Sequence, residues 1–311
     1  MGAMDTKALR YFQAVAEFGS YSRGAEFLRI SQPAVSRQIR ALEEDLGRPL
    51  FVRHSHGVSL TPAGRTLLER SQAILRQFEQ ARADIQGGES GPSGTVTVAV
   101  PPAAGHFLLP ELTRRFGALY PNVFLKVAAG FSVYIQEWMA RGRVELACLH
   151  DPVPQPGCVI TPLAREEVFL VGKRGAWSPP RAYIRARDLA DVPLILPGRP
   201  NASRRLLDGW LSRSGVQLDI RMEVDDHLII RALVRDGLGC SLLTQGGFLS
   251  DLEHGGLQAW PLRPRAFWGL ALMEAPAERR SVPVSALAEL VRATVRDLVR
   301  SHAWPGAHLY D

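Results

Sequence analysis

One break in pattern constrains this chain more than any other feature. The run Gly87-Gly88-Glu89-Ser90-Gly91-Pro92-Ser93-Gly94 is made largely of residues that interrupt helices and strands. Before it, apolar residues recur mostly at helical spacing; after it, short β-prone runs alternate with helical stretches. Two such different patterns call for separate cores. A chain of 311 residues with 46% hydrophobic content can build both.

Ahead of the break, Leu9, Phe12, Val15 and Ala16 predict a first helix ending before Gly19. Ser22 is placed to cap a short second helix through Ala25 and Leu28, and Arg29-Ile30-Ser31 makes a tight turn. A third helix then opens near Gln32, with Ser31 as its cap and Pro33 tolerated in the first turn. Val35, Ile39, Leu42 and Leu46 form one apolar stripe along it. Gln32, Pro33, Ser36, Arg37 and Arg40 fall on the other side, in the N-terminal half, while Glu43, Glu44 and Asp45 crowd the C-terminal half. A helix that enters the major groove of DNA by its N-terminal end needs this polarity. Gln and Arg can make bidentate bonds to adenine and guanine edges, and Ser suits a base or backbone contact. An ordinary solvated helix face would carry similar residues, so the surrounding elements must decide.

Leu50–Arg53 and Val58–Leu60 are short β-prone runs about a tip with His54 and His56. This predicts a hairpin wing able to touch the sugar-phosphate backbone or minor groove. Thr61-Pro62 supplies a cap and a proline at the first helical position of a helix running to about Gln86. Along it Leu67, Ser71, Ile74, Phe78, Ala81 and Ile85 alternate spacings of four and three, a coiled-coil seam. Leu67, Ile74, Phe78, Ala81 and Ile85 are therefore expected to carry dimerisation, with packing inside the domain as the alternative.

The segments Ala25-Glu26-Phe27-Leu28, Ile30-Ser31-Gln32-Pro33-Ala34-Val35-Ser36, Ile39, Leu42-Glu43, Leu46-Gly47, Leu50-Phe51, Arg53 and Leu60-Thr61-Pro62-Ala63-Gly64 together resemble the LysR-type transcriptional regulators. The resemblance implies DNA reading by Gln32, Pro33, Ser36 and Arg37, with Arg53 on the wing; Arg40 and His54 join them by position. It also implies an oligomer, commonly a tetramer assembled from dimers, on an interrupted dyad beside a promoter, in contact with RNA polymerase.

Beyond the break, strands are expected at 95–100, 123–127, 144–149, 167–171, 194–196, 220–224, 240–243 and 268–273. Helices are expected at 107–119, 134–141, 204–214, 228–235 and 284–300. Such alternation indicates a mostly parallel sheet covered by helices. Phe116 with Tyr120-Pro121-Asn122-Val123, Gly142 to Ala147, and Leu233-Val234 with Gly237-Leu238-Gly239 extend the resemblance into the family's effector domain. That domain is similar to periplasmic binding proteins, with two α/β lobes joined by two crossing strands. The crossings fall near Thr161–Arg165 and Ala266–Leu270, which returns the last helix to the first lobe. The expected division is a mainly α winged helix-turn-helix at 4–61, a linker helix at 62–87, a hinge at 88–93 and an α/β effector domain at 94–311. Within the last, lobe I takes 94–163 and 268–302, and lobe II takes 164–267.

Open α/β sheets bind ligands at the carboxyl ends of strands, where helix N-termini favour anions. Four segments fit: Pro101–His106 with Ala103 and Ala104, Gly130-Phe131-Ser132, Pro197–Arg204 with Asn201, Ser203 and Arg204, and Asp226-His227 with Thr244 nearby. Arg204 could pair a carboxylate or phosphate. Turn chemistry or helix capping is the competing explanation for each. The family often places a hydroxyl residue in the first of these loops, whereas Pro101–His106 holds no Ser or Thr.

Charge is a weak guide. The net +6 is spread along the chain, with twelve Lys/Arg against ten Asp/Glu in the first 90 residues. No Gly-x-Ser-x-Gly elbow, Walker loop or dinucleotide fingerprint occurs, so an enzyme is not expected. No cofactor or metal is expected either, as the eight histidines lack zinc spacing. Three cysteines set no disulfide framework; only Cys158 stands in a loop suited to a thiol switch. Without a signal peptide or an apolar run of roughly 20 residues, a cytoplasmic protein is expected. The competing reading is a small-molecule binding protein or enzyme with a merely structural N-terminal domain.

Overall fold

The computed structural model describes residues 4–86, 92–176, 181–211 and 215–310. The chain divides into two compact units, one made of residues 1–88 with Arg141–Arg143 and the other of residues 89–140 and 144–311. Most of the 88–93 hinge, and the end of the helix expected to reach Ser214, lie outside the described residues.

The first unit consists of α1 (Thr6–Phe18), α2 (Tyr21–Phe27), α3 (Gln32–Leu46), β1 (Phe51–His54), β2 (Gly57–Leu60) and α4 (Pro62–Gln86). Asp5 caps α1, its carboxylate accepting from Ala8 N at 2.7 Å. Ser20, not Ser22, caps α2: its extended backbone turns the hydroxyl to accept from Arg23 N. Ala8, Phe12, Val15, Ala25, Val35, Ile39, Leu42 and Leu50 close one core beneath α3. Leu46 does not join that stripe; at the last turn of α3 it is 39% exposed. Glu43 is not a free surface charge, because its carboxylate accepts from Leu50 N at 2.7 Å and from Phe51 N at 3.3 Å. It thereby fixes where β1 begins.

The wing pairs Phe51 with Leu60 and His54 with Gly57 in antiparallel register. Thr61 caps α4, accepting from Gly64 N at 2.9 Å and donating to Pro49 O at 2.8 Å. Gly64 sits so close to β1 that a Cβ there would lie 2.1 Å from Leu50 O. The α4 seam splits. Leu67 packs on the core, and the buried Ser71 hydroxyl accepts from Gln13 Nε2 at 3.0 Å and donates to Leu68 O. Ile74 and Phe78 are 42% and 48% exposed, Ala81 is exposed, and the Ile85 side chain is outside the described residues.

The second unit runs β3 (Gly94–Val100), α5 (Pro102–Leu119), β4 (Val123–Ala129), α6 (Ser132–Ala140), β5 (Leu146–His150), β6 (Val159–Lys173), β7 (Ile184–Arg185) and β8 (Leu194–Leu196). It continues through α7 (Ala202–Leu211), β9 (Ile220–Glu223), α8 (His227–Asp236), β10 (Ser241–Thr244), α9 (Leu249–Glu253), β11 (Leu257–Arg263), β12 (Phe267–Glu274), α10 (Val282–Arg300) and β13 (Ala307–His308). The strand order is β4-β3-β5-β12-β6-β11-β7, with β10 and β13 also paired to β6.

The sheet is mixed rather than mostly parallel. In lobe I β4, β3 and β5 pair in parallel, and β12 then runs antiparallel between β5 and β6. The fifteen-residue β6 is the first crossing: Val159–Glu167 pair with β12, and Val168–Val171 pair with β10. The return passes from β11 into β12. β11 escaped the sequence reading because Pro261 interrupts its run, a residue uncommon inside strands. Val96, Val98, Leu108, Leu112 and Phe116 share a core with Leu287, Val291 and Val295, so α10 packs back onto lobe I. Lobe II has its own core about Leu170, Leu194, Leu207, Leu242 and Leu262.

Candidate DNA-reading face and effector cleft

In the first unit the polar face of α3 is open. Gln32, Pro33, Arg37 and Arg40 are exposed and Ser36 is half-buried. Gln32 Nε2 donates to Ser36 Oγ at 2.8 Å, an i,i+4 bond that holds the amide along the helix. On the wing, His54 is exposed, and the Arg53 guanidinium lies 5.3 Å from the Tyr21 ring centroid. That cation–π contact ties the wing to α2. The seven DNA-contact residues expected from sequence thus lie on α3 and the wing of one unit.

In the second unit a cleft opens between the lobes. Its inner chamber, about 50 Å³, is lined by Ala103, Phe131, Ser132, Asn201, Ser203, His227 and Thr244, and also by His150, Ser241, Leu242 and Trp268. An outer vestibule of about 340 Å³ shares Ser132, His150 and Ala202 and adds Arg205. The first residues of α5, α6, α7 and α8 all reach the inner chamber. Four helix N-termini therefore meet at the chamber, a setting that favours negative charge.

The polar side chains show which groups are committed. Ser132 Oγ accepts from His150 N at 2.9 Å. Asn201 Oδ1 accepts from Ser203 N and Ser203 Oγ, yet Asn201 Nδ2 is buried with no partner among the described residues. Ser241 Oγ and Thr244 Oγ1 are buried and unpartnered in the same way. Each such group costs about 1–3 kcal/mol unless something else bonds it. His150 Nε2 lies 2.6 Å from Glu166 Oε2, and Trp304 Nε1 donates to Glu166 Oε1 at 3.1 Å. Burial, aided by the Arg231 charge, pushes His227 down to about 4, so this imidazole is neutral at neutral pH.

Two residues expected at the cleft face elsewhere. α5 begins at Pro102 rather than near Phe107, so Ala104 lies within its first turn and packs into the lobe I core. Arg204 is buried against Glu223, 3.1 Å away, and Asp208, 3.5 Å away. The next residue, Arg205, reaches the vestibule instead, donating to Pro200 O and Asp151 O. One residue on a helix is a turn of about 100°, more than sequence reading resolves. Sequence reading also passed over His150, Ser241 and Trp268. The available signal was polarity at the end of the otherwise apolar strand Leu146–His150 and at the start of Ser241–Thr244.

The cysteines fit no thiol switch. Burial pushes Cys148 to about 12 and Cys240 to about 11, and it raises Cys158 too, whereas a reactive thiol needs a lowered value. Among the described residues no His/Cys/Asp/Glu group is arranged to hold a metal, and no helix is long and apolar enough to cross a membrane.

A winged helix-turn-helix followed by a two-lobed α/β domain with a polar cleft defines a DNA-binding regulator with an effector-binding domain. Residues 6–65 match the bacterial regulatory helix-turn-helix protein, lysR family, and residues 89–296 match the LysR substrate binding domain. The chain belongs to the LysR family of transcriptional regulators, and these are regulators rather than enzymes. It is 32% identical over 304 residues to the HTH-type transcriptional regulator BbuR of Bordetella bronchiseptica, covering 97% of this chain and 94% of that protein. It is 28% identical over 244 residues to the nitrogen assimilation regulatory protein nac of Escherichia coli, covering 78% and 79% of the two chains. Among solved structures, CbnR, a LysR family transcriptional regulator, aligns over 94% of this chain and 99% of its own at 23% identity and a TM-score of 0.72. A full-length OxyR variant from Pseudomonas aeruginosa aligns over 94% and 95% at 24% identity and a TM-score of 0.68. CbnR has also been solved complexed with its target DNA. Regulators of this family bind DNA and form oligomers.

Proposed function

We propose that this regulator reads promoter DNA through Gln32, Pro33, Ser36 and Arg37, with Arg40, Arg53 and His54 on flanking phosphates, and that a small organic anion in the inter-lobe cleft sets its activity. One observation carries the effector reading: four helix N-termini and three unpartnered buried polar atoms converge on one chamber. At roughly 15 Å³ per water, a 50 Å³ chamber takes a head group of a few heavy atoms, with the rest of the ligand in the vestibule. Asn201, Ser203, Ser241 and Thr244 bond the head group, beside Ala103, Phe131, Ser132 and His227. Copies pair through Ile74, Phe78, Ala81 and Ile85 of α4 and assemble as dimers or tetramers on an interrupted dyad. Ligand favours one packing of the dimers over another, which respaces the recognition helices and changes contact with RNA polymerase in the cytoplasm.

The test is thermal shift of the full chain against a panel of two- to six-carbon carboxylates, followed by footprinting on an operator selected from genomic DNA. A carboxylate at a hundred times its Kd adds about 2.7 kcal/mol of stability and should alter the footprint. Stabilisation by neutral compounds alone would overturn the anion assignment.

A further inference from the structure

Lobe II holds a second cavity, of about 300 Å³, between α7 and the strands that carry the crossing. Its walls are apolar and unusually aromatic: Leu207, Trp210, Leu242, Phe267 and Trp268 contribute, with Arg265 as the charged member. An apolar cavity of about 150 Å³ holds a benzene ring, so this one has room for a one- or two-ring molecule.

Two details narrow the occupant. Trp210 lines the cavity, and its indole Nε1 is buried without a hydrogen bond among the described residues, a donor left without an acceptor. The Arg265 guanidinium is already engaged by Glu167 at 3.3 Å, which leaves no uncompensated positive charge for an anion. This is the reverse of the inter-lobe cleft, where helix N-termini gather. We infer that the lobe II cavity is a second ligand site, for a neutral one- or two-ring aromatic molecule carrying a hydrogen-bond acceptor. Leu242 and Trp268 belong to the walls of both cavities, so the new site lies on the reverse side of the cleft's own lining.

Acetophenone, one ring with one carbonyl acceptor, is the probe, titrated calorimetrically into the full chain, with ethylbenzene as its counterpart lacking the acceptor. Saturable binding of one acetophenone per chain is expected. Trp210→Phe keeps a ring in the wall and removes only the donor, so it should weaken acetophenone about tenfold and leave ethylbenzene unchanged. Leu207→Trp fills the cavity and should abolish binding of both, whereas Thr244→Val, in the cleft, should affect neither. The inference is overturned if no saturable binding occurs, if Trp210→Phe weakens both probes equally, or if Thr244→Val removes binding. The last result would put the probe in the cleft.

Discussion

The two units of this protein build their sites in opposite ways. In the DNA-reading unit, Gln32, Arg37 and Arg40 stand outside a packed core and cost it little, because water satisfies them. In the effector unit, Asn201, Ser241 and Thr244 are buried, and three of their polar atoms lack partners among the described residues. A surface that reads a large polyanion can be displayed ready-made. A chamber that senses a small molecule holds bonding capacity unspent until the ligand arrives. Stability and function are therefore nearly independent in the first unit and opposed in the second.

The largest expected effect probes how the reading face is held. Gly64→Ala drives a methyl group into Leu50 O, and α4 cannot keep its seat on the wing. It should cost about 3 kcal/mol, read by circular dichroism melting, and weaken DNA binding through loss of fold. A loss below about 1 kcal/mol would show that the wing shifts freely and does not position the reading face.

Acid should separate the units next. His227 has its folded pKa depressed to about 4 from an ordinary 6.5. Below 6.5 the unfolded chain takes up a proton that the folded chain refuses, so stability is full above 6.5 and falls as pH drops toward 4. The loss reaches about 3 kcal/mol, and His227→Gln should flatten that slope in denaturant titrations at several pH values. An unchanged slope would mean that the imidazole is not held neutral by burial.

Thr244→Val keeps shape and removes an unpartnered hydroxyl. The ligand-free protein should gain about 1 kcal/mol while carboxylate affinity falls, in parallel melting and titration experiments. A destabilised variant would show that the hydroxyl is already satisfied. The exposed Arg37, by contrast, should change stability by less than about 0.5 kcal/mol when made alanine.

The same contrast explains what the sequence made legible. The reading face belongs to one helix and its neighbouring hairpin, so periodicity of Val35, Ile39 and Leu42 marks the opposite, polar side directly. Caps such as Thr61 and strands such as Leu194–Leu196 are equally local. The cleft gathers residues from Pro101 to Trp268, and which one of Arg204 and Arg205 faces it depends on where α7 begins. His150 and Glu166 lie sixteen positions apart on different strands, and only the antiparallel crossing brings them together. β11 was hidden by its own proline.

The central claim, that α3 reads bases while the core beneath it merely holds it, is tested most directly by fluorescence anisotropy of Arg37→Ala. The DNA should be an operator selected with the native protein and a scrambled duplex, both at one fixed salt concentration. Loss of one bidentate base contact should weaken operator binding about ten- to a hundredfold while affinity for the scrambled duplex stays within about threefold. Operator binding as tight as the native protein's, with the fold intact, would contradict the assignment of the reading face.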